Sequence, residues 1–516
     1  MNFKSHRPQG AIQKGDRYLP QLVEDLKQVL MRAQGTLSHN TLYLSGGKLD
    51  ELTTVLVEFA EDINNDIGIW NSLERYNVEF FGTHLPCIIQ PNESINKDGV
   101  NQYRVQHLLW VLYSELDTRL ILSPTHGDLT KLAAVVSGFL ADRLSRIPRG
   151  SAVKAFLSEP NKFGWDVKRK LIWLGTHSYL FRNSFRNYVE DHGGKVEIPI
   201  IDDFICQQTT AWSGLGAIDI LAATLDISHQ QRHELRSWYK RHYSYYRILA
   251  KKGPIMEVVN TINNKAYIVR VREQASQFEV GQIVLGSLVP WDGEWYWSGK
   301  QSVVTNITED ILQELKGSFL RKVPAIAYRY CDQLAEKAKK MVAFHYNEFM
   351  KYHGNDLVIY PDGLSMAADL QKEVRMQWES KPKEVIAQIM EKHKLQKPEA
   401  SLPFPRELIK TENGVGVYYN PDEGQEMMTG FNSIVSGLKK KGINLTEEEE
   451  NGIRSFICSD LVSLKFVKRL VQEYGYQSIE SAFLVRGNNG GSHLEYLLRR
   501  YKGAYYRDRY PRIALI

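Results

Sequence analysis

The sequence predicts an α+β fold, predominantly α-helical, with a small antiparallel β module, barrel-like, near residues 255–304. Three observations predict it. Apolar residues recur at helical spacing through most of the chain, as in Leu22, Leu26, Val29 and Leu30, or Leu52, Val55, Leu56 and Phe59. The pattern shortens after Ile255 to strand-like runs such as Met256-Glu257-Val258-Val259 and Ala266-Tyr267-Ile268-Val269-Arg270-Val271. Hairpin signals lie between such runs, Asn263-Asn264 first and Asp292-Gly293 second, the latter flanked by Trp291 and Trp295.

Taken in order, residues 19–144 read as four helices, over 19–30, 49–63, 106–116 and 129–144, before Pro148-Arg149-Gly150 punctuates the chain. A second helical block runs from 151 to about 251 and includes 165–188, 218–225 and a long segment over 230–250. The β module follows, with Gly281 and Gly286 at bends. Helices return at Thr308, where Thr308-Glu309-Asp310 reads as a capped start. Residues 324–353 read as one long helix, and 365–378 and 382–393 as two more. Pro398, Pro403 and Pro405 mark a linker, because proline lacks the N–H that an element interior needs. Beyond it, Thr446-Glu447-Glu448-Glu449 has the form of a capping box. The expected organisation is therefore an N-terminal helical domain (1–148), a helical basic and aromatic region (149–254), the β module (255–304), a helical region (305–396), a proline-rich linker (397–405) and a C-terminal helical domain (406–516).

Composition restricts the function classes. With 43% hydrophobic and 24% charged residues, the 516-residue chain can bury a core without staples. Cys87, Cys206, Cys331 and Cys458 are too widely spaced for a zinc knuckle or a redox motif. They read as thiols of a reducing compartment, and the cytoplasm is the expected location. The polar first twenty residues lack the apolar run of a secretory signal, and no stretch is long and apolar enough for a membrane partner. The net charge of +5 is small, so a polyanion site requires local clustering of cations.

Few motifs suggest catalysis. His126-Gly127-Asp128-Leu129 resembles the catalytic loop of aminoglycoside and choline kinase-like phosphotransferases, in which the Asp is the base. The Asn that family needs shortly afterwards is missing, and Asp128 reads instead as a helix start. His229 and His233 stand one helical turn apart, but no third ligand is indicated and Gln230 replaces the Glu of a zinc protease. Trp212-Ser213-Gly214-Leu215-Gly216 has too few glycines for a phosphate loop. Asp202-Asp203 and the pair Asp356 and Asp362 would ligate a metal only with further carboxylates. No cofactor and no metal site is expected, and no pattern assigns a reaction.

Basic residues interleaved with aromatics carry the functional expectation. Residues 232–252 hold Arg236, Trp238, Lys240, Arg241, Tyr243 and Arg247, and residues 499–512 hold Arg499, Arg500, Tyr505, Tyr506, Arg507 and Arg509. A third block over 162–188 has Lys168, Arg169, Lys170, Arg182 and Arg186 among Trp165, Trp173, Tyr179 and Phe181. Cations displace counterions along a phosphate chain, and aromatic faces stack on unpaired bases. Trp291, Trp295, Tyr296 and Trp297 suggest a second aromatic surface on the β module, or else its core. The competing use of all these residues is packing, with Arg stems laid over rings.

Gly164-Trp165-Asp166-Val167-Lys168, Gly281-Gln282-Ile283-Val284-Leu285-Gly286 and Trp295-Tyr296-Trp297-Ser298-Gly299 resemble uncharacterised bacterial proteins of unknown function, over about 128–369. That resemblance implies an origin and supplies no catalytic residues. The expected function is a non-catalytic nucleic-acid (polyanion) binding protein, a subunit of a larger bacterial complex with protein partners or self-assembly. The alternatives are a metal-dependent nuclease or hydrolase with an unrecognised carboxylate site, and a scaffold acting through protein–protein contacts.

Overall fold

The computed structural model describes residues 3–38, 42–89, 99–272, 278–305, 307–329, 331–393, 402–485 and 492–513. They divide into two units, Met1–Lys316 with Phe483–Tyr506, and Gly317–Ala482 with Arg507–Ile516.

The first unit begins with α1 (Leu19–Gln34), α2 (Gly46–Asn65), α3 (Ile69–Phe81), α4 (Gln102–Leu116) and α5 (Gly127–Leu144). The helical stripes expected from the spacing face inward: Leu22, Leu26 and Leu30 of α1 and Leu52, Val55, Leu56 and Phe59 of α2 are buried. Each such side chain stabilises the fold by about 1.5–3 kcal/mol. The neighbouring side of α2 is also buried, although it carries Glu51, Glu58, Glu61 and Asp62. Arg182 donates to Glu51 at 2.7 Å and to Glu58 at 2.8 Å, and Arg7 donates to Glu61 at 2.6 Å. Tyr179 donates to Asp62 at 2.7 Å, and the backbone N–H groups of Gly68 and Trp70 donate to the same carboxylate, which turns the chain into α3.

Next come α6 (Ala152–Leu157), α7 (Gly164–His177), α8 (Arg182–Asp191), α9 (Ile198–Gln207), α10 (Ala217–Thr224) and α11 (His229–Arg236). The run expected over 165–188 is thus two helices, because Ser178 is extended at φ −65°, ψ 152°. The helix Ser492–Lys502 also belongs to this unit, with Tyr496 buried and stacked 5.4 Å from Trp110.

The β module is a closed barrel of β1 (Ser244–Lys252), β2 (Ile255–Asn260), β3 (Ala266–Arg270), β4 (Ile283–Trp291) and β5 (Glu294–Val304). Its order is β1-β2-β3-β5-β4, every pairing antiparallel except β3 with β5. The Asp-Gly signal is realised: Trp291 pairs with Glu294, and Asp292 and Gly293 have φ of 52° and 78°, the left-handed pair of a type I′ turn. Asn264, at φ 59°, serves the turn between β2 and β3. Tyr246, Ile248, Met256, Val258, Tyr267, Val269, Val284 and Leu288 fill the interior. The helix expected over 230–250 is a correction. It stops at Arg236, and Ser244, Tyr246 and Ile248 alternate inward as strand β1. The polar Ser244 and the adjacent tyrosines Tyr245 and Tyr246 hide the period of two in the sequence.

In the second unit β6 (Leu357–Tyr360), β7 (Val415–Asn420) and β8 (Gly424–Thr429) form an antiparallel sheet in that order. Residues before and after the proline-rich segment therefore share one sheet, while 397–401 of that segment lie outside the described residues. Val342, Phe349, Met366, Leu370, Val415 and Val417 form its core. The helix expected over 324–353 is instead two, Ala325–Tyr328 and Asp332–His353, because Cys331 is extended at φ −137°, ψ 93°. Thr446 caps the helix Glu447–Cys458 reciprocally with Glu449, as its sequence predicts.

Candidate nucleic-acid interface

The basic and aromatic residues of 232–252 do not share one helical face. After α11 the chain turns through Ser237–Lys240 into β1. Trp238 is fully buried, and its indole N–H donates to the carbonyl of Pro290 at 2.6 Å. Arg241 is buried and pairs with Asp202, and with Asp203 at 3.2 Å. Tyr243 donates to the carbonyl of Lys300 at 2.6 Å, and Arg247 pairs with Glu309 at 2.9 Å. Arg236 is exposed, 3.8 Å from Asp219, with its guanidinium 5.7 Å from the Tyr76 ring. Lys240 is half-buried, its ammonium 5.6 Å from the Tyr239 ring.

The C-terminal block is used in a similar way. The Arg499 guanidinium lies 3.5 Å from the centre of the Phe80 ring and 4.2 Å from that of Tyr506, and it pairs with Glu495 at 3.2 Å. Arg500 donates to Ser114 at 2.6 Å, with its guanidinium 5.4 Å from Trp110 and 5.5 Å from Tyr501. Tyr505 lies 5.9 Å from the Lys502 ammonium, and Arg507 is half-buried. Arg509 falls in the second unit, where it and Arg512 share Glu423 at 2.7 and 3.0 Å. Charge reversal at Arg500 would place a carboxylate against Trp110 and Tyr501, so it reports on folding before it reports on binding.

The enzyme-like strings serve local structure. His126 caps α5, accepting the N–H of Asp128 at 3.3 Å. Asp128 accepts the N–H of Ser38 at 3.1 Å and pairs with Lys131 at 3.3 Å. His229 and His233 are exposed on α11. Ser213 and Gly214, at φ 55° and 71°, make a turn of the glycine pair. Asp362 caps the helix Gly363–Glu379 by accepting the N–H of Ser365 at 2.7 Å, and Asp356 pairs with Arg469 at 3.0 Å. Among the described residues no three His, Cys, Asp or Glu side chains are grouped to hold a metal ion.

Two segments that the sequence marks separately do meet. Gly164, Trp165, Lys168, Arg169 and Ile172 follow one face of α7, because residues four apart share a helix side. Tyr296, Trp297, Gly299 and Gln301 lie on β5, Arg270 ends β3, and Val271 and Arg272 follow it. Between these pieces, and bounded also by Phe278 and Val289, is a cleft of about 570 Å³. Trp165 meets Tyr296 edge to face at 5.3 Å and lies 4.7 Å from Phe163. The Arg272 guanidinium is 5.1 Å from the centre of the Trp165 ring. Residue 164 must be glycine for this approach, since a Cβ there would stand 2.6 Å from the Tyr296 ring.

Among the described residues the lining includes Lys168, Arg169, Arg270 and Arg272 and no carboxylate. The acids that balance three of these cations do not line the cleft. Lys168 pairs with Asp202 and donates to Ser298 at 2.8 Å. Burial alone would raise the Asp202 carboxyl, yet Lys168 and Arg241 together hold it below its ordinary value. Arg270 donates to Glu294 at 2.6 Å, and that hydrogen-bonded arginine lowers Glu294, which also accepts the Tyr296 hydroxyl at 2.9 Å. Arg169 pairs with Glu159 at the surface. Arg272 is exposed and has no carboxylate partner among the described residues. Arg241 and Tyr243 do not line the cleft; Arg241 shares Asp202 with Lys168, and Tyr243 donates to the carbonyl of Lys300, between Gly299 and Gln301.

Sequence reading singled out Trp165, Lys168, Arg169, Tyr296 and Trp297, but not Arg270 and Arg272. Their signal was the pair of cations in Arg270-Val271-Arg272 at the end of a strand-like run.

Residues 10–205 match the model of a family described as Protein of unknown function (DUF3843). That stretch includes the α7 wall of the cleft and ends before the barrel. Comparison with curated proteins and with solved structures returns no match.

Proposed function

We propose that the protein is a non-catalytic nucleic-acid-binding protein and that the cleft between α7 and the barrel is its contact surface. The observation that carries this reading is a concave lining with four cations and aromatic rings and, among the described residues, no carboxylate. Arginine and lysine heads would neutralise phosphates, and the rings of Trp165, Tyr296 and Trp297 would contact bases or sugars. The barrel adds an argument by analogy alone. Five-stranded Greek-key barrels are a common platform for oligonucleotides, mostly through the face of strands 2 and 3 and the loops beside it. Here the turns between β1 and β2 and between β4 and β5 are short, and Ile268 is an exposed apolar residue on β3, so the basic cleft beside β3 and β5 is the better surface. No helix among the described residues is long and apolar enough to cross a membrane. Its place would be the cytoplasm, within a bacterial complex, in keeping with four cysteines that are free of disulfides.

Fluorescence anisotropy with a labelled mixed-sequence oligonucleotide at low salt tests the reading. Binding should weaken steeply between 50 and 200 mM salt, and the Arg169→Glu/Arg272→Glu variant should reduce the slope of log affinity against log salt by about 1–2. Absence of binding at the lowest salt, together with a protein-like ultraviolet spectrum after purification without a salt wash, would rule it out.

A further inference from the structure

We infer that the cleft selects unpaired nucleotides, so that the protein binds single-stranded in preference to double-stranded nucleic acid; this rests on the reading above. The shape of the cleft favours a single strand. Proteins that read a duplex push a helix or a two-stranded ribbon into a major groove about 12 Å wide. This site is the reverse, a concavity of about 570 Å³ whose walls are a helix and two strands. That volume lies within the range of about 300–1,000 Å³ that encloses a small organic ligand. An unstacked base with its sugar is a ligand of that size, and a base held in a duplex cannot be presented to it without being flipped out.

The chemistry inside agrees with the shape. Trp165 lies in the first turn of α7, half-buried rather than sealed in the core, with Tyr296 against its edge and Arg272 over its ring. A base that takes the place of the Arg272 guanidinium over this ring needs no particular identity, because every base has a π face. Arg272 is the cation best placed to meet the adjoining phosphate, since its charge is exposed and unpaired with any described carboxylate. Arg169, exposed on the same wall one helical turn from Trp165, would meet a phosphate farther along the strand. Two cations flanking an aromatic face describe a site for a backbone that runs past a single splayed base.

The test uses the full chain and two probes, a labelled oligothymidylate and a labelled duplex of the same length, titrated at about 50 mM salt. The single strand should bind at least about tenfold more tightly than the duplex. Trp165→Leu should weaken the single strand by about tenfold and leave the duplex unchanged, and Arg272→Glu should weaken it similarly with a shallower salt slope. Circular dichroism and the denaturation midpoint of each variant establish that it is folded. Equal or tighter duplex binding, or single-strand binding indifferent to both substitutions, overturns the inference while leaving nucleic-acid binding in place. Failure of both probes to bind overturns the underlying reading as well.

Discussion

Substituting Asp202 by alanine should destabilise the first unit more than any other single change at the cleft. Asp202 lies on α9, is buried, and accepts from three side chains: Lys168 of α7, Arg241 ahead of β1, and Ser298 of β5. Its removal leaves Arg241 at 3% side-chain exposure and Lys168 at 14% without their shared anion. Truncating one partner of a buried ion pair costs about 3–5 kcal/mol, because the remaining charge has lost its solvation and gained nothing. The Arg241 guanidinium keeps Asp203 at 3.2 Å, which reduces the loss, so about 3 kcal/mol is expected. That is a large share of the roughly 5–15 kcal/mol by which domains are stable. Lys168→Met should cost less, about 1–2 kcal/mol, since Asp202 would retain Arg241. Denaturant unfolding followed by tryptophan fluorescence reports on this unit, as every tryptophan except Trp378 lies in it. Trp238, fully buried and 5.7 Å from the Lys168 ammonium, is the local reporter. The sign with pH follows from the lowered folded-state value of Asp202. Its contribution is present above the unfolded value of about 3.9 and is lost as pH falls through the lower folded value, so Asp202→Ala should flatten the acid limb of the stability curve. A change under about 1 kcal/mol, or the reverse order of the two variants, would refute the claim that this carboxylate joins α7 to the barrel.

Other perturbations are simpler to state. Gly164→Ala should cost about 1–3 kcal/mol and weaken oligonucleotide binding, because the new methyl meets the Tyr296 ring at 2.6 Å and must push it into the cleft; unchanged melting and affinity would contradict that packing. In the second unit Glu449, its carboxyl held down to about 2 by Lys440, by the Thr446 N–H and by Ser436, should support stability above about pH 4.5 and lose that support as pH falls through about 2. Glu449→Gln should remove that acid dependence at a loss of about 1–2 kcal/mol near neutrality, measured by urea unfolding across the acid range.

How much of this was legible depends on whether the signal was local. The Asp292-Gly293 turn could be read because the pair alone meets the conformational demand of a tight hairpin, and the stripe of Leu52, Val55, Leu56 and Phe59 because burial follows helical period. Strand β1 could not, since its inward positions begin with a serine and its tyrosines are adjacent. The hairpin of β7 and β8 was missed for a different reason. Every residue of β7 is buried, so no alternation marks it as a strand. At the cleft, sequence marked Trp165, Lys168 and Arg169 on one side and Tyr296 and Trp297 on the other as rich in rings and charge. That the two face each other is a tertiary fact, fixed by Asp202 and by the small size of Gly164. The same composition in 499–512 builds stacked packing around Arg499 and Tyr506, which shows why interleaved cations and rings do not by themselves distinguish a surface from an interior.

The order in which the chain is made bears on the Ser492–Lys502 helix. Its Tyr496 and Leu498 are buried in a unit made otherwise of Met1–Lys316 and of the residues flanking this helix between Phe483 and Tyr506. A ribosome adds roughly 5–20 residues each second, so the N-terminal unit waits many seconds with that part of its core unfilled while 317–482 are synthesised. During that interval Trp110 and Phe81 lack the Tyr496 ring that packs against both. A product ending before residue 483 would lack the Tyr496 ring for good, so the unfinished chain rather than the finished one carries that incomplete core.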